Sequence, residues 1–211
     1  MGTATRFWNW TAERYSRQAI ADTAGYQKKL AMTQQHLTPD MHVVEFGCGT
    51  GSTAVEHAAL VKNYHAIDVS EKMIEIAEKK AAEAGLSNLQ FTVGTLEEAN
   101  LPDASCQALL GLNILHLVPD LEGTLATAAR VLAPGGYFFS STVCLNDLKG
   151  GLRRLALAAR VLPFLPTIGS FSVDDFRAHL ETAGFVIEET FEQAPGVVFL
   201  IAVKQSSIHE I

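Results

Sequence analysis

Two carboxylates bracket a run of glycines in this chain. Glu45 stands two residues before Gly47, Gly49 and Gly51 follow at alternate positions, and Asp68 ends the next apolar stretch, less than twenty residues on. Glycine has no Cβ, so the main chain can turn sharply there and a ligand can lie almost against it. A carboxylate accepts two hydroxyl donors at once without supplying a proton. Glu45 adds a negative charge beside the glycines, which repels a pyrophosphate and suits a cationic ligand. Further along, Asn113 and His116 are polar groups following an apolar run, and a neutral imidazole near pH 7 can take a proton from a hydroxyl, thiol or ammonium.

The elements that must position these residues are readable around them. His42 to Phe46 is a short apolar run with two β-branched residues, as a covered parallel strand requires. A helix opens near Thr50-Gly51-Ser52, with unpaired N–H groups at its start. Tyr64 to Ile67 is a second strand. In a doubly wound sheet the ends of strands one and two are neighbours, so Asp68 faces the same crevice as the glycines, placed to bind a ribose.

Glu45-x-Gly47-x-Gly49-x-Gly51 with Asp68 resembles the class I S-adenosylmethionine-dependent methyltransferases, in particular the small-molecule group of ubiquinone and menaquinone biosynthesis. The dinucleotide dehydrogenase pattern spaces its third glycine one residue later, where this chain has Ser52. The resemblance implies an α/β, Rossmann-like fold: a seven-stranded, mostly parallel sheet with an antiparallel last strand, helices on both faces and an N-terminal helical lid. It implies S-adenosyl-L-methionine as cofactor, leaving as S-adenosyl-L-homocysteine. The contacts it carries over fall on Tyr15, Glu45, Gly47, Cys48, Gly49, Gly51, Asp68, Val69, Met73, Thr95, Leu96, Glu97 and Asn113. Family members often place an acidic residue at the Thr95 position to bond the adenine amino group. Thr95 departs from that pattern, leaving its hydroxyl or the Leu96 backbone for the role. The segment Phe7-Trp8 to Tyr15 resembles one that covers the cofactor in related enzymes. Tyr15 matches its tyrosine and Tyr26 is a second candidate, while Phe7, Trp8 and Trp10 are expected to pack the lid onto the domain.

The bulk properties fit one domain over residues 1–211. The chain has 211 residues and a net charge of −7, with no basic stripe for nucleic acid. Its three cysteines, Cys48, Cys106 and Cys144, lack metal or disulfide spacing, and the histidines follow no metal-ligand spacing. No stretch reads as a signal peptide or a bilayer span. The expectation is a cytoplasmic protein, monomeric or homodimeric, with a small-molecule acceptor as its partner, no metal, no nucleic acid and no stable membrane insertion.

The remaining pattern completes the fold. Two helices fill residues 1 to about 38. Ser70 caps a helix that stops at Gly85, Leu89 to Val93 is strand three, and Gln107 to Leu112 is a central fourth strand. A helix over Leu121 to Leu132 turns through Pro134-Gly135-Gly136 into a fifth strand. Asp147 to Leu162 shows apolar residues at helical spacing with a basic face. It reads first as a substrate lid over residues 145–170, then as a packed helix, then as a membrane-surface helix. Ser172 with Asp175 forms a capping box, and two final strands follow.

For such a site, the chemistry is in-line displacement from a sulfonium, which needs alignment and exclusion of water more than a dedicated base. His116 is the candidate base, or else a hydrogen-bond partner of the cofactor or main chain. Two other readings stay open: a nicotinamide-dependent oxidoreductase, against which the absence of Tyr-x-x-x-Lys speaks, and a non-catalytic cofactor-binding module. The acceptor reads as small and hydrophobic, its methylated atom open.

Overall fold

The computed structural model describes residues 2–150 and 168–206. Two helices come first, α1 (Thr3–Ser16) and α2 (Thr23–Gln34), followed by β1 (His42–Phe46), α3 (Ser52–Ala58), β2 (Asn63–Asp68), α4 (Glu71–Glu83) and β3 (Leu89–Val93). After β4 (Cys106–Leu112) and a 3-10 turn over Leu115–Leu117 come α5 (Leu121–Val131) and β5 (Leu132–Val143). A turn at Leu145–Asp147 follows, and the last described elements are α6 (Val173–Thr182), β6 (Phe185–Ala194) and β7 (Val197–Lys204).

The seven strands form one sheet in the order β3-β2-β1-β4-β5-β7-β6. All neighbours from β3 to β5 are parallel, and β7 inserts antiparallel between β5 and β6. The order reverses between β1 and β4. Crevices for ligands open at such a reversal, beyond the carboxyl ends of the strands.

Both faces of the sheet are covered, which is why its strands are apolar at consecutive positions. Phe46, Leu109, Phe138 and Leu200 face a core layer built with Leu125 and Ala128 of α5 and Phe176 and Leu180 of α6. Their neighbours Leu110, Phe139 and Ile201 face a second layer with Ala54 and Ala58 of α3, Ile74 of α4 and, at its margin, Met32 of α2. Helix ends follow local chemistry. Ser70 accepts from the Met73 amide at the start of α4, and Ser172 and Asp175 make the expected reciprocal capping box on α6.

Two expectations change. Trp10 does not pack the N-terminal segment down: it is 81% exposed, and α1 is held instead through Asn9, whose Oδ1 accepts from the Ser70 hydroxyl and the Lys72 amide. The fifth strand begins before the Pro134-Gly135-Gly136 turn from which it was expected to follow, because Leu132 already pairs with Cys106 ahead of a register shift. The helix expected at 147–162 lies mostly outside the described residues.

Candidate active site

The three glycines have different jobs. A methyl group built on Gly47 would come within 2.6 Å of Ile114, and one on Gly51 within 2.6 Å of the Ala77 Cβ in α4. Both are bare because neighbouring elements press on them. At Gly49 such a group would meet nothing within 4 Å among the described residues, although φ is +55°. Gly49 is therefore the point where the loop shows its main chain to open space, and the left-handed backbone there favours glycine.

The loop is tethered to β2. The Cys48 amide donates to the Ile67 carbonyl at 3.1 Å, and the Gly49 amide to Asp68 Oδ2 at 2.9 Å. Asp68 Oδ1 takes the Ser70 amide at 2.9 Å. Burial pushes the Asp68 pKa up, and the amides of Ser70 and Gly49 pull against it. A carboxylate has about four acceptor positions, so Asp68 retains capacity for ligand hydroxyls after holding both amides. From behind, Lys80 of α4 donates to the hydroxyls of Thr50 at 3.0 Å and Ser52 at 2.9 Å, fixing the loop's shape.

Glu45 is 2% exposed and accepts a 2.9 Å hydrogen bond from the Tyr64 hydroxyl. Burial raises its pKa to about 8, with the Tyr64 bond opposing and the nearby Asp68 adding to the rise. It is thus largely protonated at neutral pH when no cation is near. Cys48 is buried and its thiol is pushed well up by desolvation and by the Glu45 and Asp68 carboxyls, as suits a packing residue rather than a nucleophile.

Asn113 stands at the end of β4 with φ +57°. Its amide N–H donates to the Ser141 carbonyl at 2.7 Å, and its Oδ1 accepts from the Ser141 hydroxyl at 3.1 Å. With Oδ1 engaged, the side chain presents its NH2 group. His116 follows in the 3-10 turn. Its Nδ1 lies 3.3 Å from the Thr142 hydroxyl and 3.5 Å from the Val143 amide. An amide N–H can only donate, so Nδ1 is the accepting nitrogen and the ring proton sits on Nε2. Burial holds its pKa down at about 4.

The other expected positions are scattered around this centre. Tyr15 is half exposed and packs edge-on against Trp8. Tyr26 lines a chamber beside Asn113 instead. Val69 is half-buried and Met73 buried at the start of α4. Leu96 points into the core, leaving only its backbone for a ligand. Thr95 and Glu98 bond each other's backbone amides, and Glu97 accepts from Thr124 of α5. Sequence reasoning passed over Lys80, Tyr64, Lys29 and His57. The spacing of Thr53 and His57, four apart on α3, was the one available sign that His57 shares a face with the glycine loop.

The strand-loop-helix unit and its carboxylates correspond to a known pattern. Residues 43–136 match the family model described as "Methyltransferase domain". The chain carries a methyltransferase domain. Among curated proteins, it is 32% identical over 144 residues to a 27-O-demethylrifamycin SV methyltransferase of Amycolatopsis mediterranei, covering 67% of this chain and 53% of that protein. It is 30% identical over 143 residues to a ubiquinone biosynthesis O-methyltransferase of Cupriavidus pinatubonensis, covering 68% and 57%. The matched stretch thus spans about half the length of these relatives. A solved S-adenosylmethionine-dependent methyltransferase from Mesorhizobium loti shares the fold, with a TM-score of 0.71 at 20% identity, over 87% of this chain and 99% of that one. Within the methyltransferase domain fall β1 to α5, hence the glycine loop, Asp68, Asn113 and His116.

Proposed function

We propose that this chain transfers a methyl group from S-adenosyl-L-methionine to a small acceptor with an apolar body. The observation that carries the reading is the open face of Gly49 bonded to Asp68. A nucleoside laid there puts its ribose hydroxyls on Asp68 and its sulfonium tail along the loop toward Asn113. The residues present suit such a group. The loop is bare where it would lie, and Glu45 lies buried beside it. A cation brought near Glu45 favours its ionised form.

When bound, the cofactor supplies an already activated methyl group. What the chain contributes is alignment: Asp68 and the loop fix the donor, and the Asn113 NH2 group orients the acceptor or the cofactor tail. His116 orients better than it abstracts protons. With a pKa near 4 and the proton on Nε2, its remaining role is donor. The acceptor then ionises on its own or through water. Support for an apolar acceptor comes from the leucines spaced through 147–162 in the sequence, and the buried free cysteines suit a reducing cytoplasm.

Thermal melting with S-adenosylhomocysteine and with NADH tests this directly, since a ligand of the native state raises the melting temperature. A rise with the first alone supports the reading, and a rise with NADH alone overturns it. Turnover of cofactor across a panel of hydroxylated and carboxylated aromatics then separates an enzyme from a silent binding module.

A further inference from the structure

β1 and β2 pair with Val43 beside Tyr64 and Glu45 beside Ala66. Side chains two apart on a strand point the same way, so Tyr64 stands one pleat back from Glu45 on the same face. Its neighbours in that core layer include Val43, Ala66 and Phe139. A phenylalanine would fill such a place without burying a hydroxyl, and a buried hydroxyl with no partner is costly. The Tyr64 hydroxyl has a partner: it donates to Glu45 Oε2 at 2.9 Å, and both residues are buried. It is the one hydrogen bond to the Glu45 carboxyl among the described residues, which leaves Oε1 open to a ligand.

The surroundings give Glu45 no other help with a negative charge. Tyr64 and Asp68 of β2, Cys48 of the loop and Tyr26 of α2 stand around it, and His57 of α3 lies beside the Tyr64 ring with 6.4 Å between centroids. Burial pushes Tyr64, Tyr26 and Cys48 up and holds His57 down at about 4, so all four are neutral near pH 7. Asp68 opposes a second charge, and burial opposes it more. Among the described residues, the Tyr64 O–H is therefore the group that favours an ionised Glu45. Positive charge has to arrive with a ligand.

We propose that Tyr64 is a positioning residue of the cofactor site: its hydroxyl pins one oxygen of the Glu45 carboxyl and leaves the other for the cation of the bound cofactor. The inference deepens the proposed methyl transfer and rests on it for the identity of that cation. A donated hydrogen bond favours the charged form of its acceptor. With it, Glu45 gives its proton to the buffer as the cation arrives. Without it, the same ionisation draws more of the binding energy, and the carboxyl is no longer held in one orientation.

The test is calorimetric titration of the wild-type chain, Tyr64→Phe, Glu45→Gln and the double variant between pH 7 and pH 9. The probes are S-adenosylhomocysteine, which carries an ammonium, and 5′-methylthioadenosine, the same nucleoside thioether without it. Tyr64→Phe keeps the ring and removes only the hydroxyl. It should weaken S-adenosylhomocysteine about tenfold at pH 7, roughly one charged hydrogen bond. The loss should shrink toward pH 9, where Glu45 ionises in the wild type unaided and increasingly in the variant. Methylthioadenosine should bind as before, and Tyr64→Phe should add nothing in the Glu45→Gln background. Unchanged affinity for S-adenosylhomocysteine overturns the proposal. So does a loss that is equal for both nucleosides or constant across pH, the mark of a merely structural tyrosine. A wild type that binds neither nucleoside refutes methyl transfer and this role with it, whereas a wild type that binds both, with no effect of Tyr64→Phe, refutes the role alone.

Discussion

The Gly49 amide and the Asp68 carboxylate are 2.9 Å apart, so the middle glycine of the loop is bonded to the residue that ends the neighbouring strand. One side chain thus both shapes the loop and remains available to a ligand lying on it. Asp68→Asn keeps an acceptor for one amide but loses the charge. Its affinity for S-adenosylhomocysteine should fall by about 1.5–3 kcal/mol, roughly tenfold to a hundredfold in Kd. Calorimetric titration checks this, and unchanged affinity would remove Asp68 from the ribose.

The glycines should separate in a mutational comparison. Gly49→Ala adds a methyl group to open space, so it should keep the fold at a backbone cost of about 1–2 kcal/mol while abolishing cofactor binding. Gly51→Ala drives a methyl group into Ala77, and should cost stability first. Melting curves alongside titration distinguish the two. A Gly49→Ala protein that binds normally would place the ligand elsewhere.

Glu45 makes stability fall with rising pH. Its folded pKa is raised from the ordinary 4.5 to about 8. Between those values the unfolded chain has lost a proton that the native chain keeps, so stability declines through that window. Glu45→Gln removes the titration, and its melting temperature relative to wild type should climb from pH 5 to pH 8. Cofactor binding, by bringing a cation, should release a proton near pH 7, read as a dependence of the binding heat on buffer ionisation enthalpy. A flat comparison across pH would mean that Glu45 is ionised in the free protein.

His116→Gln tests the orienting role. Loss of a general base typically costs a factor of about 10²–10⁴ in rate. The expected loss is below about tenfold, smaller than that range, with the pH profile of single-turnover rates between pH 6 and 8 unchanged in shape. A large loss that tracks an ionisation near neutrality would restore His116 as the base.

Much of this was legible in the residues. The consecutive apolar pairs Leu109-Leu110 and Phe138-Phe139 require a sheet covered on both faces, and the Glu45 to Asp68 spacing locates the crevice. Caps at Ser70 and Ser172 are local chemistry and were readable for that reason. The details that failed depend on contacts between distant segments. Trp10 was expected against the domain because aromatic residues usually bury area, but the anchoring fell to Asn9 and Ser70, sixty-odd positions apart. Lys29 and His57 gave little sign of sharing a chamber, since each belongs to a helix whose packing is decided by the sheet. Nor could Tyr64 be assigned to Glu45 without the pairing of Glu45 with Ala66 that sets the two strands side by side.

Helix α2 roofs the oily side of the sheet that carries Phe139 and Phe199, with Leu30 buried and Met32 at its margin, and it is latched to β6 through Asp22, Lys29 and Gln193. Segments more than 160 positions apart are therefore joined above strands made between them. A ribosome must make β6, 164 positions beyond Lys29, before that roof can shut. A version trimmed to start at β1 would leave a greasy flank bare and prone to clumping, however faithfully it kept the glycine loop.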